Sequence, residues 1–420
     1  TKDTIKVVQY RANLGAAVDA ILTAQGANPS KEQVQAMIDA VSKFINENYE
    51  LYGRKYQVKL IDGQCNSVPP DYPCLRGEFR RIIQTEKPFA IIWNTSLASP
   101  AFDEMSKLGG WGFRDSFNQT HRPYHWDLQM GGSQLVAMVG EWYCKRMAGG
   151  KAEYAGANPN PTADLRNKPR VLGVISTDDP ENKLAIDELK GHLSRCGVRI
   201  AAEYYYAQDI TTADQQRRAA VSKMINSGVT TIMCFCDLVA PIFLYNTCEE
   251  QKYYPEHVMV ATGYMDTDRA AQAYDHTLPP DNVNPAHQFE NAFGLAQNPR
   301  AVFRENNTAA RLMKAAGNFN RFYDSAEIDV TYHLMLATLI QAAGPTLTPQ
   351  NLEAGAFRLP PLGGLDNDEV TLRQFRPGDY TWTDALREVY WSTTRPSTFN
   401  RKPGAYVNVN GNRWFVPGQF

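Results

Sequence analysis

Short apolar runs and amphipathic stretches alternate along most of this chain, with turn residues between them. IKVVQY (5–10) has the pattern of a strand, a helical stretch comes next over about 16–24, and a break at 26–30 precedes a second helix. In that helix Val34, Met37, Ile38, Val41, Phe44 and Ile45 recur every three or four residues, as one buried face requires. Ser30 and Gln33 stand at the spacing of a capping box at its start. YQVKLID (56–62), a helix at about 75–86, PFAIIW (88–93) and a short helix in SPAFDEMSKLG (99–109) continue the alternation; Ser99-Pro100 suits a cap followed by proline at the first helical position. After a helix at 133–147 and a polar, Gly/Pro-rich loop at 149–169, the pattern starts again. Strands are predicted at 170–176, 198–206, 230–236 and 257–263, with helices at 181–197, 212–227 and 240–252 between them. NAFGLAQ (291–297) reads as a further strand and 327–344 as a long amphipathic helix.

Strand–helix alternation of this kind predicts parallel strands joined by right-handed helical crossovers, here in two successive α/β units. The C-terminal part differs. DALREVYW (384–391) has strand character, and AYVNV and NRWFV alternate on either side of Asn410-Gly411, which predicts a small antiparallel hairpin turning there.

At 420 residues the chain has room for two or three compact units. Lys and Arg number 43 against 45 Asp and Glu, so the broad basic field that phosphate backbones require is absent and nucleic acid is excluded as the main partner. No run approaches the length of a spanning helix. The chain opens on Thr1 rather than Met, with no charged n-region and apolar h-region after it, and is expected to be a mature or trimmed form, from which a signal segment could have been removed.

The seven cysteines leave at least one unpaired. Cys65 and Cys74 flank a Pro-rich turn, and a disulfide closing that ten-residue loop is worth about 2.5–3 kcal/mol on the chain-entropy account. Cys144 and Cys196 each fall near the end of a predicted helix and can pair if those helices are neighbours. Cys234 and Cys236 lie two apart in a strand-like run, an arrangement that points both side chains the same way; buried thiols are the expectation there.

Dinucleotide, P-loop and zinc-protease motifs and the G-x-S-x-G elbow are all missing, and the seven histidines show no metal-ligand spacing. No cofactor or metal is expected. Asp178, Asp179 and Glu181 suit acid/base work, but a helix cap with acidic first-turn residues explains them better. What remains is position. In open α/β sheets ligands meet the carboxyl ends of the strands, and those ends carry Tyr10 and Arg11, Asn94, Thr95 and Ser96, then Ser116 and Phe117 in the first unit. In the second unit they carry Asp178, Tyr206, Asp237 and Tyr264.

The order of these elements, with FINENYELYGRKYQVKLIDGQCN (44–66), residues 168–206 and residues 229–263, resembles the type I periplasmic binding proteins, and most closely the branched-chain-amino-acid-type solute receptors of ABC transporters. The resemblance implies two Rossmann-like α/β lobes joined by a three-segment hinge. Lobe I is expected over 1–120 and 288–350, and lobe II over 121–287 and 351–420, with NAFGLAQ as the strand returning to lobe I. It implies an extracytoplasmic location, with a lipid anchor possible through an N-terminal segment, and a membrane permease as partner. It also implies a small-molecule solute held by these eleven strand-end residues, with no catalysis. In amino-acid-binding members small Ser, Ala or Thr residues hold the α-carboxylate; here Leu97 interrupts that run, and Arg114, Asp115 and Ser116 stand where Ala and Thr are common. An acidic residue of the second lobe usually meets the ammonium, and Asp178, Asp237 and Asp266 are its candidates. The alternatives from other classes are an enzyme using Asp178 or Asp237 as acid/base, and a ligand-sensing ectodomain on the same scaffold.

Overall fold

The computed structural model describes residues 3–24, 28–93, 104, 112–113, 122–275, 288–290, 292–366 and 370–420. It divides into two compact units: 1–131 with 304–361 and 374–383, and 132–303 with 362–373 and 384–420. The chain passes from one to the other at 131/132, at 303/304 and within 361–384, where it alternates. Residues 122–131 and 351–361 thus belong with the first unit and 288–303 with the second, unlike the expected lobe boundaries.

The first unit is built on a parallel sheet of β1 (Thr4–Asn13), β2 (Lys55–Asn66), β3 (Ala90–Trp93), β4 (Gly112–Phe113) and β5 (His125–Trp126), in the order β2-β1-β3-β4-β5. Successive residues of β1 feed opposite layers, because side chains alternate across a strand. Val7 packs with Met37, Val41 and Leu336 from helices Lys31–Asn48 and Ala326–Ala343, whereas Val8 packs with Leu75, Phe79 and Ile82 from helix Tyr72–Glu86. The capping box at Ser30 is formed in both directions, with Gln33, the third helical residue, as its partner. The core of this unit is not wholly apolar. The Tyr56 hydroxyl lies 2.8 Å from His333 Nδ1, His333 Nε2 lies 3.0 Å from Gln9 Oε1, and Asp329 takes the Tyr323 hydroxyl at 2.8 Å. Burial drives the His333 pKa down to about 3, so the ring is neutral and its two nitrogens serve one donor and one acceptor contact.

The described residues of the second unit form a seven-stranded sheet in the order β12-β11-β10-β9-β8-β6-β7. These are β6 (Leu172–Thr177), β7 (Ile200–Tyr206), β8 (Thr231–Phe235), β9 (Glu256–Val260), β10 (Phe293–Ala296), β11 (Arg387–Pro396) and β12 (Pro403–Asn408). β6 to β10 are parallel, and β11 and β12 add an antiparallel edge. Two expectations are corrected here. NAFGLAQ does not return to the first sheet: β10 pairs with β9. Gly294 makes that pairing possible, since it has φ 151° and a Cβ there would fall 2.1 Å from the Met259 carbonyl oxygen. The terminal hairpin exists, but its arms are β11 and β12 rather than the segments around Asn410-Gly411. Asn410 is drawn onto Glu388, and Phe415 exchanges backbone hydrogen bonds with Leu386, so the chain beyond Gly411 crosses back over the start of β11 instead of doubling along β12.

Cys65 pairs with Cys74 and Cys144 with Cys196. Cys234 also pairs with Cys236, against the expectation of two separate thiols. The same-face rule applies within a strand; β8 ends at Phe235, so Cys236 is already outside it. Cys248 is free and buried, its thiol pushed up by burial.

Candidate functional site

In the first unit the switch of strand order falls between β1 and β3, and in the second between β6 and β8. The carboxyl ends of these strands are where such sheets bind ligands, because neighbouring crossovers leave to opposite faces there.

At the rim of the first sheet Arg11 and Lys31 both reach Asp62, at 2.8 and 2.6 Å. Partial burial works against the Asp62 anion, but the hydrogen bonds from Lys31 and Arg11 outweigh it and hold the carboxyl below its usual range. Arg11 is therefore a half-exposed cation already steadied by one carboxylate. Tyr10 lies elsewhere. It is fully buried on Phe79, and its hydroxyl donates to Glu78 at 2.8 Å. Burial, with Glu78 second, pushes its phenol far up, so it is a neutral member of the layer under helix 72–86. Asn94, Thr95, Ser96, Ser116 and Phe117 lie outside the described residues.

The rim of the second sheet is described throughout. Asp179 caps helix Pro180–Ser194, accepting from Glu181 N at 2.8 Å, as the cap reading of this acidic group requires. Asp178 stands beside it at the end of β6. Its backbone N–H bonds the Tyr206 carbonyl at 2.9 Å, while its side chain is exposed and has no partner among the described residues. Asp237, just past β8, is fully engaged. One carboxylate oxygen accepts from the N–H groups of Val239 and Ala240 at 2.7 and 2.9 Å, and the other from the Tyr206 hydroxyl at 2.8 Å and Gln208 Nε2 at 3.4 Å. The Tyr206 hydroxyl in turn accepts from Asp237 N at 2.9 Å. Burial first, then the Asp237 charge, push the Tyr206 phenol well above its ordinary value, so the pair acts as a fixed strut rather than a proton carrier.

Beyond β9 the backbone is strained. Ala261, Gly263 and Tyr264 have φ of 56°, 56° and 64°, and left-handed geometry costs a non-glycine residue about 1–2 kcal/mol. Such strain persists only where surrounding structure enforces it, and it concentrates at functional sites. The enforcing contacts come from the end of β10. Gln297 donates its side-chain amide to the Ala261 carbonyl, and Asp266 accepts from Gln297 N at 2.7 Å and from Asn298 N and Nδ2 at 2.8 and 2.7 Å. Burial raises the Asp266 pKa against the pull of those donors. Within the same turn, Thr262 Oγ1 is buried with no hydrogen-bond partner among the described residues. Nothing in the local sequence ATGYM marks Thr262; only the left-handed run around it, invisible without backbone angles, sets it apart. Among the described residues no group of three or more His, Cys, Asp or Glu converges as a metal site, and no helix is long and apolar enough to cross a membrane.

The second rim thus places Asp178, Tyr206, Asp237 and Tyr264 at the ends of four parallel strands, β6, β7, β8 and β9. No family model matches this sequence, and no curated protein matches it. Solved structures do match in fold. A solute-binding protein of an ABC transporter from Rhodopseudomonas palustris BisB5, in complex with 3,4-dihydroxybenzoic acid, superposes with a TM-score of 0.62 over 99% of this chain and 98% of its own, at 11% identity. The chain has the type I periplasmic-binding-protein fold. A substrate-binding protein of an ABC transporter from Aeropyrum pernix gives 0.66 over 99% and 97%, at 11% identity. A branched-chain amino acid ABC transporter protein from Thermus thermophilus, with bound valine, gives 0.64 over 99% and 97%, also at 11%. These neighbours are binding proteins rather than enzymes, and what they share with this chain is the periplasmic-binding-protein architecture.

Proposed function

We propose that this chain is an extracytoplasmic solute-binding receptor that captures a small molecule and delivers it to the permease of an ABC importer, without altering it. The observation that carries the reading is the full-length match, beyond nine-tenths of both chains, to binding proteins whose structures hold a small carboxylate-bearing solute. Each unit presents the carboxyl rim of its own parallel sheet, where such sheets bind ligands.

Within that reading Asp178 is the residue of the second rim that meets the solute directly, being exposed and uncommitted, with Thr262 and Tyr264 beside the strained turn as further contacts. Asp237 and Tyr206 hold the rim in shape, and their hydrogen bonds leave them little to offer a ligand. In the first unit Arg11 is the contact with a described position, and Asn94, Thr95, Ser96, Ser116 and Phe117 complete it. The disulfides favour an oxidising compartment over the cytosol. A thermal-shift panel of branched-chain amino acids, hydroxybenzoates, short amides and sugars tests the proposal. A true solute at one hundred times its dissociation constant adds about 2.7 kcal/mol and raises the melting temperature. A panel without a single saturable shift sets the reading aside for these classes.

A further inference from the structure

Cys234 and Cys236 form the one bridge that spans only a single intervening residue, Phe235; the others join residues 9 and 52 apart. A cross-link stabilises a fold chiefly by restricting the unfolded chain, and it does so least when the closed loop is shortest. This bridge therefore does little as a staple, and its effect falls on the local backbone. That backbone matters. Cys234 sits inside the sheet, opposite Ile175 of β6 and Met259 of β9, whereas Cys236 is the first residue beyond a β8 that ends at Phe235. The next residue is Asp237, whose carboxylate ties down Val239 N, Ala240 N and the Tyr206 hydroxyl. The cross-link fixes the direction in which the chain leaves the sheet, and Asp237 inherits that direction.

We propose that Cys234–Cys236 is a reversible thiol–disulfide site that controls the geometry of the Asp237 turn at the rim of the second sheet. Reduction by an external dithiol breaks the Cys234 Sγ–Cys236 Sγ bond and delivers two electrons and two protons, leaving two thiols in the protein and one disulfide in the reductant. The sulfurs are nearly buried, so exchange is gated by opening of the turn itself. Cys248 packs in the same apolar cluster, but its protonated, buried thiol is a poor nucleophile and does not compete for the bond. The proposal does not depend on the solute or on the receptor reading.

The test uses the whole folded chain. Alkylation without reductant, followed by peptide mass spectrometry, is expected to leave Cys234 and Cys236 unlabelled; dithiothreitol under native conditions is expected to make both labelled. Hydrogen exchange of the Val239 and Ala240 amides is expected to rise at least tenfold on reduction, with the mid-strand amides of β6 and β8 unchanged. The double variant Cys234→Ala, Cys236→Ala, kept oxidised so that the other two bridges persist, is expected to fold and to show the same fast exchange. Labelling of both cysteines before reduction, resistance to native reduction, equal exchange in the two states, or failure of the double variant to fold would each overturn the proposal.

Discussion

The two ends of the second sheet are built from the same kinds of polar residue and use them in opposite ways. At the amino end Arg170, just before β6, meets Glu256, the first residue of β9, at 2.9 Å, with both side chains out of solvent. Glu256 also accepts from Thr231, the first residue of β8, at 2.6 Å, and from Tyr154 N at 3.1 Å, which anchors the 149–169 loop over that end. Charges there are consumed in pairs and sealed. At the carboxyl end Asp178 stays exposed, Thr262 Oγ1 is without a partner among the described residues, and three left-handed residues lie just past β9. A buried ion pair that satisfies its own members can hold a loop but has nothing left for a ligand; the open end has donors and acceptors to spare.

That contrast predicts a graded set of responses. The largest belongs to the sealed end. Glu256→Ala strands a buried guanidinium and is expected to lower stability by about 3–5 kcal/mol, read by urea unfolding; a loss near zero would mean that this end is wet. Next is His257, the second residue of β9, whose pKa burial lowers to about 4. Its imidazole is neutral in the fold, so above the unfolded pKa near 6.5 it adds no pH dependence. As pH falls below that value the unfolded chain takes up the proton first, and stability drops progressively until about pH 4, by about 3 kcal/mol in full. His257→Gln should flatten that part of the stability-against-pH curve; an unchanged slope assigns the acid sensitivity elsewhere.

The open end responds less in stability and more in binding. Asp237→Ala removes the acceptor for Val239 N, Ala240 N and the Tyr206 hydroxyl, and about 1–2 kcal/mol of stability should go with them in thermal unfolding. Asp178→Asn touches nothing inside the protein. Its melting curve should stay within about 0.5 kcal/mol of the parent, while affinity for the solute falls about tenfold or more in calorimetry. Equal affinity in that variant takes Asp178 out of the contact set.

How far the sequence disclosed these ends depended on the range of the interactions. Local patterns carried the alternation of strands and helices, the Ser30–Gln33 box, the Asp179 cap and the Cys65–Cys74 bridge, because period, cap and short loop are all written within a few residues. Pairings between distant segments were not readable. β10 is short and apolar and could join either sheet on pattern alone; Gly294 and its approach to Met259 decide the matter only in three dimensions. Asn410-Gly411 is a genuine turn, with Gly411 at φ 64°, yet Glu388 and Leu386 compete for the chain on either side of it and win. Tyr10 shows a further limit. A strand covered on both faces has no polar side to orient it, so a tyrosine near its end reads as a rim group while its ring in fact lies on Phe79. The His333–Gln9 contact joins residues 324 apart, beyond any local motif.

Titration calorimetry of the whole protein with the solute that the thermal panel selects, followed by chemical analysis of the solute recovered from the complex, tests the central claim most directly. The account predicts saturation at one molecule per chain and recovery of that molecule unchanged. Recovery of a converted product, or heats that never saturate with any member of the panel, would contradict it.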